Sequence, residues 1–188
     1  MKKVETTLQD AYIIEATVFG DHRGFFMESY NKESFIKIGI DIEFVQDNHS
    51  LSETKGTLRG LHYQLEPKAQ TKLVRCTRGA ILDVIVDVRK GSPTYGKWEA
   101  FKLTAENKKQ LLVPKGFLHG FYTLLENCEV QYKVDEYYAA DCDRSVKWND
   151  ETLAIDWQIS TPPLLSTKDE KAVSFAEMDN HFVYGEAK

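Results

Sequence analysis

The chain has 188 residues, 42% hydrophobic and 12% aromatic, enough apolar material for one packed core and too much for a disordered chain. A formal net charge of −5 excludes a general nucleic-acid binder, while leaving room for a few local cations around a phosphorylated ligand. No run approaches the roughly 18 apolar residues of a membrane span, and Met1-Lys2-Lys3 is not followed by the apolar stretch of a signal peptide. Cys76, Cys128 and Cys142 form no CxxC pair, which fits free thiols in a reducing compartment; residues 1–188 are expected to be one cytoplasmic domain.

In chain order, residues 12–19 (YIIEATVF) read as a first strand closed by the turn 20–24, and residues 25–30 resume extended structure around Glu28. Asn31 is placed to cap a short helix carrying Phe35, Ile36 and Ile38, which Gly39 would end. Residues 44–64 (FVQDNHSLSETKGTLRGLHYQ) form two strand-like halves around the turn-rich Ser52-Glu53-Thr54-Lys55-Gly56. Strands are expected over 72–78 and 80–89, joined at Gly79, then over 98–104, 110–113, 117–125 and 129–138. Residues 167–178 carry the second helical pattern. Many short strands with turn signals every ~8–12 residues predict a mainly β sandwich or barrel with few short helices, one near the C-terminus.

The segment 44–64 carries an unusual polar set for a hairpin. Gln46, Asp47, Asn48, His49, Arg59 and His62 sit among Phe44, Val45, Leu58, Leu61 and Tyr63. Amide, carboxylate, guanidinium and imidazole groups recognise ligands and titrate. His62 and His119 both lie in apolar strands, where an ionisable group is costly unless satisfied. A metal barrel needs an HxH pair, but the only comparable place here is His62-Tyr63-Gln64, so no metal is expected. General acid–base chemistry fits better: His62 could serve as a base, and a buried carboxylate such as Asp169 would orient its ring. Spacing alone does not single out Asp169, and it leaves Tyr132 readable as a half-buried strand tyrosine and Lys72 as an edge lysine. Arg23, Arg59, Lys72 and Lys168 are the cations available for a phosphate or diphosphate, since the chain has neither a P-loop nor a GxGxxG motif.

Taken together, FGDHRGFFMESY (19–30), FVQDNHSLSETKGTLRGLHYQ (44–64), TKLVRCTRGAILDVIVDVRKGSPTYGKW (71–98), VPKGFLHGF (113–121), YKVDEYY (132–138), WND (148–150) and LSTKD (165–169) resemble the dTDP-4-dehydrorhamnose 3,5-epimerase family over nearly the whole chain. The resemblance implies a cupin-type jelly-roll barrel without metal or other cofactor. It also implies a homodimer that exchanges N-terminal strands and uses a dTDP-linked 4-keto-6-deoxy sugar. His62 would be the base, Asp169 its partner, Tyr132 the acid and Lys72 a catalytic cation. The matching substrate contacts are Arg23, Glu28, Gln46, Asp47, Asn48, Arg59, Lys72, His119, Tyr138 and Lys168. Two places depart from the pattern. Asp143 stands where the family has a substrate-contacting glutamate one methylene longer, and Trp157-Gln158 replaces the usual Trp-Pro.

The chemistry the resemblance implies is consistent with these groups. The C3 and C5 hydrogens flank the C4 ketone, so losing either gives an enolate that a donor at O4 stabilises. A base and an acid on opposite faces then invert the carbon. Within the family, inversion of C3 alone or action on another nucleotide-linked 4-keto sugar are the neighbouring readings. A non-catalytic nucleotide-sugar-binding cupin is the reading from another class, and it gives no reason for an acid and a base together.

Overall fold

The computed structural model describes residues 1–159 and 161–185. Its strands are β1 (Lys2–Glu5), β2 (Tyr12–Glu15), β3 (Val18–Asp21), β4 (Gly24–Met27), β5 (Gln46–Ser52), β6 (Leu58–Gln64), β7 (Lys72–Arg78), β8 (Ala80–Asp87), β9 (Trp98–Thr104), β10 (Gln110–Val113), β11 (Phe117–Thr123), β12 (Cys128–Val134) and β13 (Asp143–Ser145). The helices are α1 (Lys32–Lys37) and α2 (Thr167–Glu170), with a 3₁₀ turn at Phe175–Glu177. Two antiparallel sheets, in the order β1-β2-β10-β7-β12-β5 and β13-β6-β11-β8-β9, face one another as a jelly roll.

Period-2 alternation separates three apolar layers. Between the sheets, Ile13, Val74, Cys76, Leu111, Val113 and Val130 meet Ile81, Ile85, Leu103, Phe117 and Phe121. The intervening residues of β6, β8 and β11 (Leu58, Leu61, Tyr63, Leu82, Val84, Val86, Leu118 and Tyr122) point outward and are covered by Val146, Leu153, Trp157 and Phe182 of a C-terminal strap. The other outer face, Ile14, Leu73 and Leu112, is covered by Phe35 of α1 and by Ile40. Strand β8 is therefore buried on both faces, which explains its near-continuous run AILDVIVD.

The tail differs from the helix expected over 167–178. The single turn of α2 and the 3₁₀ turn form there instead, because Val173 bridges Val146 in parallel and Lys147 N–H donates to its carbonyl at 2.8 Å, which draws the backbone out of the helix between them. The expected strand 12–19 also divides. Its first half pairs with β1 and β10, while its second half forms with β4 a separate two-stranded hairpin. Strands β1 and β13 were not apparent from alternation, being short and polar.

Candidate active site

The interior is apolar along β2, β10, β8 and β9 and polar where β5, β12 and β7 face β6 and β11. There a cavity of about 480 Å³ is lined by Ser50, Arg59, His62, Lys72, His119, Phe121, Tyr132 and Asp169, among others. That volume suits a small polar ligand. Inward-facing positions of β5 are Gln46, Asn48 and Ser50, whereas Asp47 and His49 point out.

On β6, Arg59 and His62 both face inward although they are three residues apart. A register shift against β11 makes this possible, with His119 opposite His62 and Phe121 opposite Arg59. Gly60 sits at the shift with φ +127°, and a Cβ there would lie 2.6 Å from Gly120 Cα and 2.8 Å from the His119 carbonyl. Only glycine allows that approach.

His62 Nε2 lies 2.5 Å from Asp169 Oδ1. Asp169 comes from α2, whose N-cap Ser166 accepts from the Asp169 backbone N–H at 3.2 Å and donates its own hydroxyl to Oδ2 at 2.7 Å. Burial pushes the Asp169 carboxyl up, but hydrogen bonds from His62, Ser166 and the Gly60 backbone outweigh it and hold the group below the usual carboxylate range. Asp169 thus stays ionised and accepts the Nε2–H of His62. In the neutral ring Nδ1 would then carry the lone pair of a base, and it has no hydrogen-bond partner among the described residues.

On the facing sheet Lys72 Nζ donates to the neutral Gln70 Oε1 at 2.8 Å, and burial lowers its pKa to about 8. Tyr132 is raised above the ordinary tyrosine value, chiefly by burial, so it holds its proton at neutral pH as a general acid must. Arg59 is held by Ser52 Oγ (3.2 Å) and the Leu51 carbonyl (3.1 Å). At the mouth, Asp143 pairs with Lys168 and accepts from the Tyr138 hydroxyl at 3.2 Å, while Tyr138 N–H donates to Gln46 Oε1 at 3.2 Å and Gln46 Nε2 to Asn48 Oδ1 at 2.9 Å.

Six of the expected site residues, His62, Tyr132, Asp169, Lys72, Arg59 and His119, line the cavity, and Gln46, Asn48, Tyr138, Asp143 and Lys168 form a polar chain of their own. Three do neither. Asp47 points to the outer face, ion-paired with Lys133 at 2.8 Å. Arg23 lies on the β3–β4 hairpin and pairs with Asp21, and Glu28 accepts from Asn31. Residues that sequence reasoning passed over are Ser50, Ser52, Gln70 and Ser166. The inward alternation of QDNHSLS was the available signal for the first two; nothing local marks the others.

A family model described as dTDP-4-dehydrorhamnose 3,5-epimerase matches residues 5–177. The dTDP-4-dehydrorhamnose 3,5-epimerase of Shigella flexneri is 51% identical over 180 residues, covering 95% of this chain and 98% of its own. The crystal structure of the Bacillus anthracis enzyme of that name, with TDP and PPi bound, is 55% identical and covers 92% of this chain and 98% of its own, with a TM-score of 0.90. The dTDP-6-deoxy-D-glucose-3,5-epimerase of Legionella pneumophila, in complex with dTDP-4-keto-L-rhamnose, is 43% identical, covers 95% of this chain and 94% of its own, and also has a TM-score of 0.90. Fold, motifs and matches over nearly the full length agree, and the chain belongs to the dTDP-4-dehydrorhamnose 3,5-epimerase family.

Proposed function

We propose that the cavity between the sheets receives dTDP-4-dehydro-6-deoxy-D-glucose and inverts C3 and C5 to give dTDP-4-dehydro-L-rhamnose, with His62 as base, Tyr132 as acid and Lys72 at the ketone oxygen. The observation that carries this is the placement of the His62–Asp169 pair on one wall and Tyr132 with Lys72 on the other. His62 Nδ1 removes the proton next to the C4 ketone. The electron pair moves into an enolate whose oxygen meets the Lys72 ammonium, and Tyr132 returns a proton to the opposite face. Once His62 has released its proton to solvent and Tyr132 has regained one, the same sequence at the second carbon completes the reaction, and no electron leaves the substrate.

Arg59, Gln46 and Asn48, with Lys168 at the mouth, supply donors for the diphosphate and nucleotide. The ring of Tyr138, exposed beside Asp143, offers a stacking face for the base. Assay in heavy water tests the reading: deuterium should appear at both C3 and C5 of the product. Labelling at C3 alone would mark a 3-epimerase, and an unlabelled, unconverted sugar would mark a binder.

The chain works as a homodimer in this reading. Phe19 and Phe26 on the β3–β4 hairpin are 62% and 66% exposed, alongside exposed Phe25 and Val18, an apolar surface that a second copy would cover. Such pairing would also carry Arg23 and Glu28, which lie away from their own cavity, to that of the neighbouring subunit. A cytoplasmic setting is supported by the three free thiols.

A further inference from the structure

The site contains a second histidine–carboxylate pair. His119 is the cross-strand neighbour of His62 and lines the same cavity. Its Nε2 lies 2.9 and 3.0 Å from the two oxygens of Asp83 on β8. Both imidazoles thus bond a carboxylate through Nε2 and keep Nδ1 free, but their partners differ. Asp169 has donors from His62, Ser166 and the backbone, and the His62 side chain is 33% exposed. Asp83 is 0% exposed, projects inward between Ile81 and Ile85 of the apolar core, and has His119 as its only side-chain partner among the described residues.

We propose that Asp83 is a positioning residue that keeps a hydrogen on Nδ1 of His119, making His119 a second donor to the enolate oxygen beside Lys72 and the counterpart of the base His62. The argument is proton counting. A net negative charge would sit on Asp83, which is 0% exposed and has a single side-chain donor; that is costly, so the pair is held at zero net charge. Zero charge requires two protons on Asp83 and His119 together. One lies between Asp83 and Nε2, whichever atom carries it. The other is on Nδ1, because a carboxyl hydrogen beside an Nε2–H would be a buried O–H with no side-chain acceptor among the described residues, so the neutral pair presents an N–H. Burial indeed holds the Asp83 carboxyl above the usual range, against the opposing pull of His119. Asp169 lies below it, so His62 keeps its lone pair and His119 does not. The other ionisable groups lining this cavity are His62, Arg59, Lys72, Tyr132 and Asp169.

The inference rests on the epimerase reading for its substrate but not for its protonation state, which is read on the free enzyme. Nitrogen-15 NMR of ¹⁵N-histidine-labelled protein near pH 7 distinguishes a protonated from an unprotonated ring nitrogen. His22→Gln, His49→Gln, His181→Gln and His62→Gln remove the other four histidines in turn and assign His119 by elimination. Nδ1 of His119 is expected to be protonated and that of His62 unprotonated. Asp83→Asn, which lets the imidazole place its proton on Nε2 at no cost in charge, should shift Nδ1 of His119 towards the unprotonated signal. In turnover, His119→Gln should lower kcat about 10²-fold, the usual cost of one oxyanion donor, with dTDP affinity little changed. An unprotonated Nδ1 in wild-type enzyme that exchanges solvent deuterium at C3 and C5, or a His119→Gln loss confined to KM, overturns the donor role and leaves the epimerase reading standing. A wild-type enzyme that exchanges neither carbon overturns the epimerase reading itself, and with it the donor's place at O4.

Discussion

His62 and Tyr132 enter one cavity from opposite sheets, His62 on β6 of the five-stranded sheet and Tyr132 on β12 of the six-stranded one. Facing sheets stand about 10 Å apart, room for a sugar ring with one group above it and one below. Inversion at carbon needs that placement, because a proton taken and returned by the same group on one face restores the starting configuration.

His62→Ala should lower turnover by about 10³-fold, in the range of a lost general base, while dTDP binding measured by calorimetry stays within a few-fold of wild type. Turnover near the wild-type rate would remove His62 from the mechanism.

Lys72→Met should separate activity from stability. Loss of the enolate's cation costs roughly 3 kcal/mol of transition-state stabilisation, about 10²-fold or more in kcat. The folded protein should nevertheless gain stability at pH 7, because burial depresses Lys72 from 10.5 to about 8 and each pKa unit is worth about 1.4 kcal/mol, giving up to about 3 kcal/mol. The sign follows from linkage: between pH 8 and 10.5 the unfolded chain binds more protons, so wild-type stability rises there. Urea denaturation should show the variant's advantage in full below pH 8 and gone above 10.5. A variant less stable than wild type at pH 7 would show that the ammonium is satisfied in place.

Gly60→Ala meets the Gly120 backbone at 2.6 Å in a left-handed conformation that alanine tolerates poorly. It should cost about 2–4 kcal/mol, the range of overpacking combined with backbone strain, read as a lower urea midpoint. Because Gly60 lies between Arg59 and His62, the surviving folded fraction should also turn over slowly. Gly96→Ala, with nothing near its Cβ, is the control and carries backbone strain alone.

Phe19→Ser with Phe26→Ser should shift the sedimentation of the protein from dimer to monomer at micromolar concentration, since the apolar surface offered to a second copy is removed. Adding Arg23→Ala to an otherwise dimeric chain should raise KM with little change in kcat. An unaltered sedimentation coefficient for the double variant would place the interface elsewhere.

The sandwich was largely readable in the sequence. Strands at 72–78, 98–104 and 110–113 fall where expected, because their residues stand out against the turn residues around them, Gly79, the loop 91–96 and Pro114. Polar β1 and β13 gave no such contrast, and the tail's helical spacing lost to the Val146–Val173 bridge, a contact no local pattern encodes. The site was legible in types rather than in partners. Two imidazoles within apolar strands signalled chemistry, but Asp169 lies 107 residues from His62, and family resemblance, not spacing, joined them. Asp83 was passed over: it stands as a carboxylate among ILDVIV, but its use depends on the cross-strand register that brings His119 to it.

Asp169 belongs to the strap that crosses the outside of the barrel, and among the described residues the strands of the sandwich precede it in the chain, β13 ending at Ser145. On the ribosome, synthesis reaches the last strand before it reaches the carboxylate that fixes His62. A nascent or C-terminally nicked chain therefore carries Lys72, Tyr132 and Arg59 on their strands while the imidazole's tautomer is still unset. Turnover would report that the polypeptide has been made through to α2.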